Sequence, residues 1–231
     1  MRKLFLAFVC LFGLLDCKAQ FANPEESLFL LPFQAPAGTY RIDENFEPAV
    51  APDGWTTGSG ITYNQTGISG MQGTYCMKIV SSGSAVSVTT ASFTAYSEIW
   101  VYCLVQISSD VTCNMIELEN ASGSRAALFH LPGGGSGPRI YEGNVSQNIA
   151  SALTMSQTYH CWIHWKSDHT ADIGFSTDGV RPTSGFFYAT VSGGDSGITT
   201  VSKIRLRADG SQTCYFDVVR VKTSQIGDNG I

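Results

Sequence analysis

The stretch 157–166 (QTYHCWIHWK) carries the most distinctive set of chemically active side chains in this sequence of 231 residues. His160, Trp162 and His164 alternate with apolar residues, so in an extended strand they leave the same face. An exposed tryptophan between histidines suits sugar binding, because an aromatic ring stacks on a pyranose and imidazole hydrogen-bonds hydroxyl groups. The histidines would stand ~13 Å apart at ~3.3 Å per residue, too far to share one metal ion. In the alternative interpretation, a loop or a sheet edge covers the tryptophan.

Two carboxylates, Glu117 and Glu119, form a second candidate group and lie two residues apart in a strand-like stretch. Both side chains therefore leave the same face of the strand. Hydrolysis of a glycosidic bond with retention needs two carboxyl groups about 5–5.5 Å apart. No third acid accompanies this pair, and a solvated acidic face is the simpler interpretation. Arg205 and Arg207 alternate in the same way and, with the glutamates, are candidate flanks of a glycan site.

Charge and motif content exclude several other classes of function. The net charge of −5 argues against a general nucleic-acid binder, which needs a basic patch. The sequence has no P-loop, no glycine-rich dinucleotide fingerprint and no Gly-x-Ser-x-Gly elbow. Beyond the N-terminus, no apolar run is long enough to span a membrane. We therefore expect neither a nucleic-acid partner nor a membrane span.

The N-terminus has the layout of a secretory signal. Basic residues at 2 and 3 precede an apolar run at 4–15, and small residues follow at 17 and 19. The run is too short to cross a bilayer, which needs about 20 apolar residues. Cys17 also leaves a lipid-anchored form open, although the aspartate before it is atypical of that signal. We predict a secreted, extracellular or cell-surface protein with a signal peptide at 1–19, an N-terminal arm at 20–39 and one domain at 40–231.

The rest of the sequence alternates short apolar runs with clusters of Gly, Ser and Asp. This pattern predicts roughly a dozen short strands and no amphipathic helix, as in a β-sandwich or barrel. The stretch 98–107 is almost entirely apolar, which predicts a central strand buried on both faces. In the stretch 157–166, we assign the face with Cys161, Ile163 and Trp165 to the core.

Beyond the N-terminal signal, cysteines stand at positions 76, 103, 113, 161 and 214. An odd number in an exported chain leaves at least one thiol unpaired or intermolecular. No Cys-x-x-Cys spacing indicates a zinc site. A cysteine buried in a strand behaves as a small hydrophobic residue, which is the simpler interpretation for most of these. The predicted disulfide joins Cys103 and Cys113, because a hairpin would bring them together.

The order of several short motifs points to a known type of domain. These motifs are Phe-Glu at 46–47, Pro-Asp-Gly-Trp at 52–55, Asn-Ala-Ser-Gly at 120–123, Ile-Arg-Leu-Arg at 204–207 and Tyr-Phe-Asp-Val-Val-Arg-Val at 215–221. Together with the strands between them, they resemble the laminin-G-like jelly rolls of the concanavalin A-like lectin and glucanase superfamily. The resemblance covers residues 40–227 and implies an all-β domain, a two-sheet antiparallel jelly-roll sandwich.

This resemblance implies a non-catalytic recognition or adhesion module that binds a glycan or cell-surface polysaccharide on its concave sheet. In that superfamily a structural calcium ion often joins the first and last strands, which places Asp217 as one ligand and Glu47 or Asp43 as another. Alternatively, Asp217 is an ordinary strand acid or pairs with Arg220. No other cofactor is expected. The other candidate functions are a glycan-cleaving hydrolase or lyase of the same fold, and a structural surface or virion protein.

Overall fold

Alternating apolar residues build a series of strands in residues 40–231, the part of the chain that the computed structural model describes. The first seven are β1 Ile42–Glu44, β2 Ile61–Gln65, β3 Cys76–Val80, β4 Gly83–Thr89, β5 Glu98–Ile107, β6 Cys113–Glu119 and β7 Arg125–Leu131. The next seven are β8 Arg139–Glu142, β9 Val145–Asn148, β10 Tyr159–Lys166, β11 Thr170–Ser176, β12 Tyr188–Ser192, β13 Lys203–Gly210 and β14 Thr213–Lys222. A single 3-10 turn, Asp228–Gly230, follows the last strand.

The strands form two antiparallel sheets. The eight-stranded sheet has the order β12-β11-β10-β5-β14-β3-β2, and β1 also pairs with β14. The six-stranded sheet has the order β4-β13-β6-β7-β8-β9. Their inner faces enclose one large hydrophobic cluster. This architecture confirms the predicted all-β, two-sheet antiparallel sandwich and is consistent with a jelly roll.

Strand β5 lies in the middle of the eight-stranded sheet between β10 and β14. It is buried on both faces, as its apolar sequence predicts. Alternate residues from Ile99 to Ile107 face the main core, whereas Trp100, Tyr102 and Leu104 belong to a second, smaller cluster on the outer side. The second cluster shows that other parts of the chain also cover the outer side of this sheet at β5.

Strand β10 follows the predicted division between its two faces. Cys161, Ile163 and Trp165 are buried in the main core, as the sequence predicts. Because side chains alternate along a strand, His160, Trp162 and His164 point to the outer side of the same sheet. The candidate histidines and tryptophan therefore share a face, also as predicted.

The cysteines do not form the predicted disulfide. All five cysteines of the described residues are buried thiols. Cys103 lies on β5 in the eight-stranded sheet, and its direct cross-strand neighbour is Cys161 on β10. Cys113 begins β6 in the other sheet, so the chain between these two positions crosses from sheet to sheet and is not a hairpin. The prediction of a Cys103–Cys113 bond is wrong because strands 5 and 6 do not pair.

The predicted signal peptide at 1–19 and N-terminal arm at 20–39 lie outside the described residues. Within the described range, no helix is long and apolar enough to cross a membrane.

Candidate functional site

The candidate residues from the sequence lie on two different sheets. His160, Trp162 and His164 are on β10 of the eight-stranded sheet. The two glutamates are on β6 and the two arginines on β13, both in the six-stranded sheet. All of these side chains point away from the shared core, so the two groups face opposite sides of the sandwich. The predicted grouping is therefore wrong for Glu117, Glu119, Arg205 and Arg207, which cannot flank a ligand bound at the tryptophan.

Trp162 is covered, contrary to the expectation of an exposed ring. Only 2% of its surface is accessible. The indole Nε1–H donates a hydrogen bond to the carbonyl oxygen of Gly227 at 2.9 Å, and the ring packs against Tyr102 at 5.4 Å between centroids. The alternative of a tryptophan under a covering segment is the correct one. That segment, residues 227–231, is called the C-terminal strap below.

Several contacts fix the C-terminal strap on this surface. The Tyr40 hydroxyl donates to the Gly230 carbonyl oxygen at 2.6 Å, and the Arg220 guanidinium donates to the same oxygen at 3.2 Å. Gly230 has a φ of +74°, and a Cβ atom there would overlap the ring of Tyr102. Only glycine allows the strap to lie this close to the ring.

His164 lies in a closed network rather than in an open site. Its Nε2 is 2.8 Å from Glu98 Oε1, and its Nδ1 is 3.1 Å from Asp172 Oδ2. The imidazole stacks on Trp100 with 3.7 Å between ring centroids, and the Arg181 guanidinium lies over the same indole at 4.4 Å. Because both ring nitrogens lie within hydrogen-bond distance of a carboxylate and the ring stacks on Trp100, His164 has a structural role here.

His160 is the one member of this group that remains partly exposed. Its Nδ1 is 2.7 Å from the hydroxyl oxygen of Tyr102. Burial lowers the pKa of His160, and the nearby carboxylate of Asp178 opposes this effect without reversing it. The imidazole is therefore neutral at pH 7. Its Cε1 atom lies beside Gly179, at the border of the pocket described next.

An open pocket of about 360 Å³ lies where the β11–β12 loop folds over the ends of β10 and β11. We call it the aromatic pocket. Phe186 and Phe187 are exposed, by 75% and 41%, and Val180 is exposed by 55%. Half of the large apolar side chains that are exposed in residues 40–231 thus line this one pocket. Its other lining residues are Tyr159, Phe175, Ser176, Thr177, Asp178, Pro182 and Ser184.

The start of the β11–β12 loop is firmly positioned. The Gly179 N–H donates to Ser176 Oγ at 3.1 Å, and the Val180 N–H donates to Asp178 Oδ1 at 3.0 Å. The C-terminal strap adds two hydrogen bonds. The Asn229 N–H donates to the Gly179 carbonyl at 2.7 Å, and the Arg181 N–H donates to Asp228 Oδ1 at 2.7 Å. The strap therefore covers the tryptophan and supports the pocket loop at the same time.

The aromatic pocket has an acidic and hydroxyl-bearing lining. Asp178 is the only charged side chain among its lining residues. The hydrogen bond from the Val180 N–H lowers the pKa of Asp178, so the carboxylate is ionised at neutral pH. Arg181 follows nearby in sequence, but its guanidinium is turned away onto Trp100.

Asp178, Phe186 and Phe187 are not among the candidate site residues that the sequence indicates. In the structure, β12 begins at Tyr188, so Phe186 and Phe187 belong to the loop before it. Two adjacent phenylalanines directly after a glycine were the available signal of an exposed aromatic site.

Glu117 and Glu119 are buried on the outer side of the six-stranded sheet, so their interpretation as a solvated face is wrong. Arg205 contacts both carboxylates, at 3.5 Å and 3.1 Å, and Arg207 contacts Glu117 at 3.3 Å and Asp209 at 2.6 Å. Burial raises the pKa of Glu119, although the Arg205 guanidinium opposes this. The arginines are thus the partners of the glutamates, in a charged row on this face.

The predicted calcium ligands are engaged with the backbone. Asp217 is fully buried and accepts hydrogen bonds from the Gln72 N–H at 2.7 Å and the Val218 N–H at 2.8 Å. Glu47 accepts from the N–H groups that follow Gly73, at 2.7 Å and 3.2 Å. Asp43 pairs with the Arg220 guanidinium at 2.8 Å, so Arg220 is not the partner of Asp217.

No group of three or more His, Cys, Asp or Glu side chains in residues 40–231 is arranged to hold a metal ion. Asp217 on β14 and Glu47, which follows β1, accept hydrogen bonds from N–H groups of the loop before β3. Each Asp217 oxygen keeps a second lone pair beside the N–H that it accepts, so the calcium site stays a prediction.

Comparisons with known proteins support the fold. No known protein family matches the chain, and no curated protein matches it in sequence. A sialidase superposes with a TM-score of 0.60 and 12% identity, over 81% of this chain and 19% of the sialidase. The Crh5 transglycosylase gives 0.55 and 16%, over 82% and 89% of the two chains. The binding domain of botulinum neurotoxin serotype D gives 0.55 and 10%, over 83% and 50%.

The chain shares its fold with these proteins but little of its sequence. At these identities the similarities show the β-sandwich alone, and the chain spans only about a fifth of the sialidase. The narrower assignment to laminin-G-like domains stays a prediction.

Proposed function

We propose that the domain at 40–231 is a non-catalytic carbohydrate-recognition module of a secreted or cell-surface protein, and that sugar binds in the aromatic pocket. The observation that carries the proposal is the open pocket of about 360 Å³ with exposed Phe186 and Phe187 at its rim. Its volume lies in the range of about 300–1,000 Å³ of small-molecule sites, which combine apolar walls with a few polar groups.

The lining offers the two kinds of contact that a sugar needs. The exposed phenyl rings provide flat apolar surfaces for the C–H face of a pyranose. Asp178 and the hydroxyl groups of Ser176, Thr177 and Ser184 provide acceptors and donors for sugar hydroxyls. Monomeric proteins rarely leave several large apolar side chains exposed together unless they serve binding.

The charge of the aromatic pocket selects among glycans. Its only charged lining side chain is the ionised Asp178, and the chain carries a net charge of −5. A sialylated, sulfated or uronic-acid residue would meet this carboxylate with no lining cation to balance it. We therefore propose neutral or amino sugars as the ligand class.

Two observations support a role without catalysis. The aromatic pocket presents a single carboxylate, whereas hydrolysis of a glycosidic bond generally uses a pair. The other close pair, Glu117 and Glu119, is bound by Arg205 and Arg207 on the opposite side of the sandwich. A sialidase and a transglycosylase are among the proteins with a similar fold, which is compatible with glycan recognition but also keeps cleavage as the alternative.

The test is a glycan array and affinity electrophoresis with the full chain, alongside the double variant Phe186→Ala/Phe187→Ala. We expect retention by neutral or amino-sugar glycans, and a loss of at least about tenfold in affinity in the double variant, as for aromatic hot spots. Val50→Ala is the matched control, because Val50 is an apolar side chain exposed by 61% outside the pocket.

Retention that persists in the double variant would place the glycan elsewhere. No retention on any glycan would reject the proposal and favour a structural surface protein. Release of reducing ends from a retained polysaccharide, lost in Glu119→Gln, would favour the enzyme instead.

A further inference from the structure

The cysteines fall into pairs that the sequence does not suggest. Cys103 on β5 and Cys161 on β10 occupy directly opposite positions of the antiparallel ladder. Both point into the main core and both are buried. Opposite residues of such a ladder have Cα atoms about 4.5–5.5 Å apart, within the range of about 4.4–6.8 Å that disulfides span.

The second pair joins the two sheets. Cys113 begins β6 in the six-stranded sheet, and Cys214 lies near the start of β14 in the eight-stranded sheet. Both side chains are fully buried in the main core, and the neighbouring Cys113 thiol, together with burial, raises the pKa of the Cys214 thiol. In the first pair, burial and the neighbouring Cys103 thiol raise the pKa of the Cys161 thiol in the same way.

Cys76 differs from these four. It is buried in β3 and has no cysteine opposite it in the ladder, where its neighbour is Gln65 on β2. Burial raises the pKa of its thiol to about 12, and the nearby Asp217 adds to the effect. Cys76 therefore stays a thiol because it has no cross-strand cysteine to pair with, and not because its thiol is more buried than the others.

We propose that the exported protein contains two disulfides, Cys103–Cys161 and Cys113–Cys214, and retains Cys76 as a thiol. This inference rests on the export that the proposed function includes, and it is independent of glycan binding. It accounts for the odd number of cysteines, because the contacts leave one defined thiol without a partner.

The oxidant is a disulfide-containing molecule of an oxidising compartment, such as oxidised glutathione or a thiol–disulfide oxidoreductase. For each bond, one cysteine thiolate attacks the oxidant to form a mixed disulfide, and the second cysteine then displaces it. Two S–H bonds are lost and one S–S bond forms, while the S–S bond of the oxidant breaks and takes up the two electrons and two protons to give two thiols. Because all four sulfur atoms are buried in the folded domain, the bonds form while the chain folds.

The two bonds would constrain different parts of the sandwich. The Cys103–Cys161 bond closes a loop within the eight-stranded sheet, and the Cys113–Cys214 bond links that sheet to its partner. Reduction should therefore lower the Tm, with the larger drop from the second bond, because it closes the longer loop.

The test is peptide mapping of the full chain, secreted from an oxidising compartment and alkylated in denaturant without reductant. We expect cross-linked peptides containing Cys103 with Cys161 and Cys113 with Cys214, and alkylation at Cys76. In Cys161→Ser, Cys103 should be alkylated in addition to Cys76. In Cys214→Ser, Cys113 should be alkylated in addition to Cys76. Cys76→Ser is the control and should leave both links intact.

Alkylation of all five cysteines in the secreted chain would overturn the proposal, as would a Cys103–Cys113 link. If Cys161→Ser fails to fold, the wild-type map still decides, because the links are identified in the unmodified chain.

Discussion

Two groups of aromatic side chains near the C-terminal strap have opposite environments. Trp100, Tyr102 and Trp162, which we call the sealed group, are almost inaccessible, and the C-terminal strap covers Tyr102 and Trp162. Phe186 and Phe187 stand open at the rim of the aromatic pocket. The strap contacts both regions, since it accepts the indole N–H of Trp162 and bonds to the pocket loop at Gly179. The comparison shows that covering segments, rather than residue type, decide which aromatic surface is available to a ligand.

The largest expected effect is that of Trp162→Ala, which should disrupt the packing of the sealed group and leave the lining of the aromatic pocket unchanged. Removing a buried indole from a packed surface lowers the free energy of unfolding by about 3–5 kcal/mol. Chemical denaturation measures this loss. Under conditions where the variant is folded, glycan affinity should stay within about threefold of the wild type, because Trp162 does not line the pocket. A selective loss of binding at unchanged stability would show that the tryptophan itself contacts the ligand.

Asp217 tests the sealed group through its pH dependence. This carboxyl is buried close enough to Tyr102 to raise the pKa of that phenol, and burial raises its own pKa from 3.8 to about 7. The folded state therefore holds the proton more tightly than the unfolded state. Its contribution to stability is largest below about pH 4, falls as the pH rises towards about 7, and is constant above that.

Asp217→Asn removes this titration. Relative to the variant, the wild type should lose up to a few kcal/mol of unfolding free energy between pH 4 and 7. Urea denaturation of both proteins at several pH values measures the difference. Parallel pH profiles would mean that the carboxyl ionises normally in the fold.

Gly230→Ala separates the two roles of the C-terminal strap. A methyl group would overlap the Tyr102 ring at a backbone φ of +74°, so the strap should lift and the free energy of unfolding should fall by about 1–3 kcal/mol. Amide exchange should then speed up at Gly179 and Asn229, whose backbone groups bond to each other. Gly193→Ala, a glycine of similar φ with open space around it, is the matched control. Unchanged exchange at Gly179 would show that the strap does not support the pocket loop.

The smallest effect is expected for Asp178→Asn, which changes the charge of the pocket and keeps its shape. Affinity for neutral glycans should change by less than about tenfold. The difference in affinity between neutral and acidic glycans should become smaller. Measuring both ligand classes at low and high salt checks this, since the carboxylate acts on acidic sugars through charge. Tighter binding of acidic than of neutral glycans by the wild type would contradict the proposed ligand class and leave the pocket itself in place.

Local sequence features predicted much of the fold. The alternation in β10 identified the core face of Cys161, Ile163 and Trp165, and the apolar run of β5 identified a strand buried on both sides. These predictions succeed because strand alternation depends only on neighbouring residues. The order of motifs was also sufficient for the two-sheet sandwich.

The site was harder to predict, because its features depend on contacts between distant parts of the sequence. Trp162 is covered by Gly227, which is 65 residues away. Glu119 and Trp162 point to opposite sides of the sandwich because β6 and β10 belong to different sheets. The sequence of a single strand does not determine which sheet it joins. The partner of Cys103 likewise depends on the pairing of β5 with β10.

The β11–β12 loop is attached to the sandwich at both ends, and one bond holds its exposed tip, from the Ser151 N–H to the Phe186 carbonyl at 3.3 Å. Pro182 packs on Gly174 so closely that a side chain there would collide with it, and the Phe187 carbonyl accepts the Phe175 N–H at 2.9 Å. The tip between them, residues 183–186, is exposed. Substitutions in this tip can reshape the rim of the pocket while the strands below keep their register. The loop is thus a natural position for diversification by evolution, and a graft site for altering ligand preference by design.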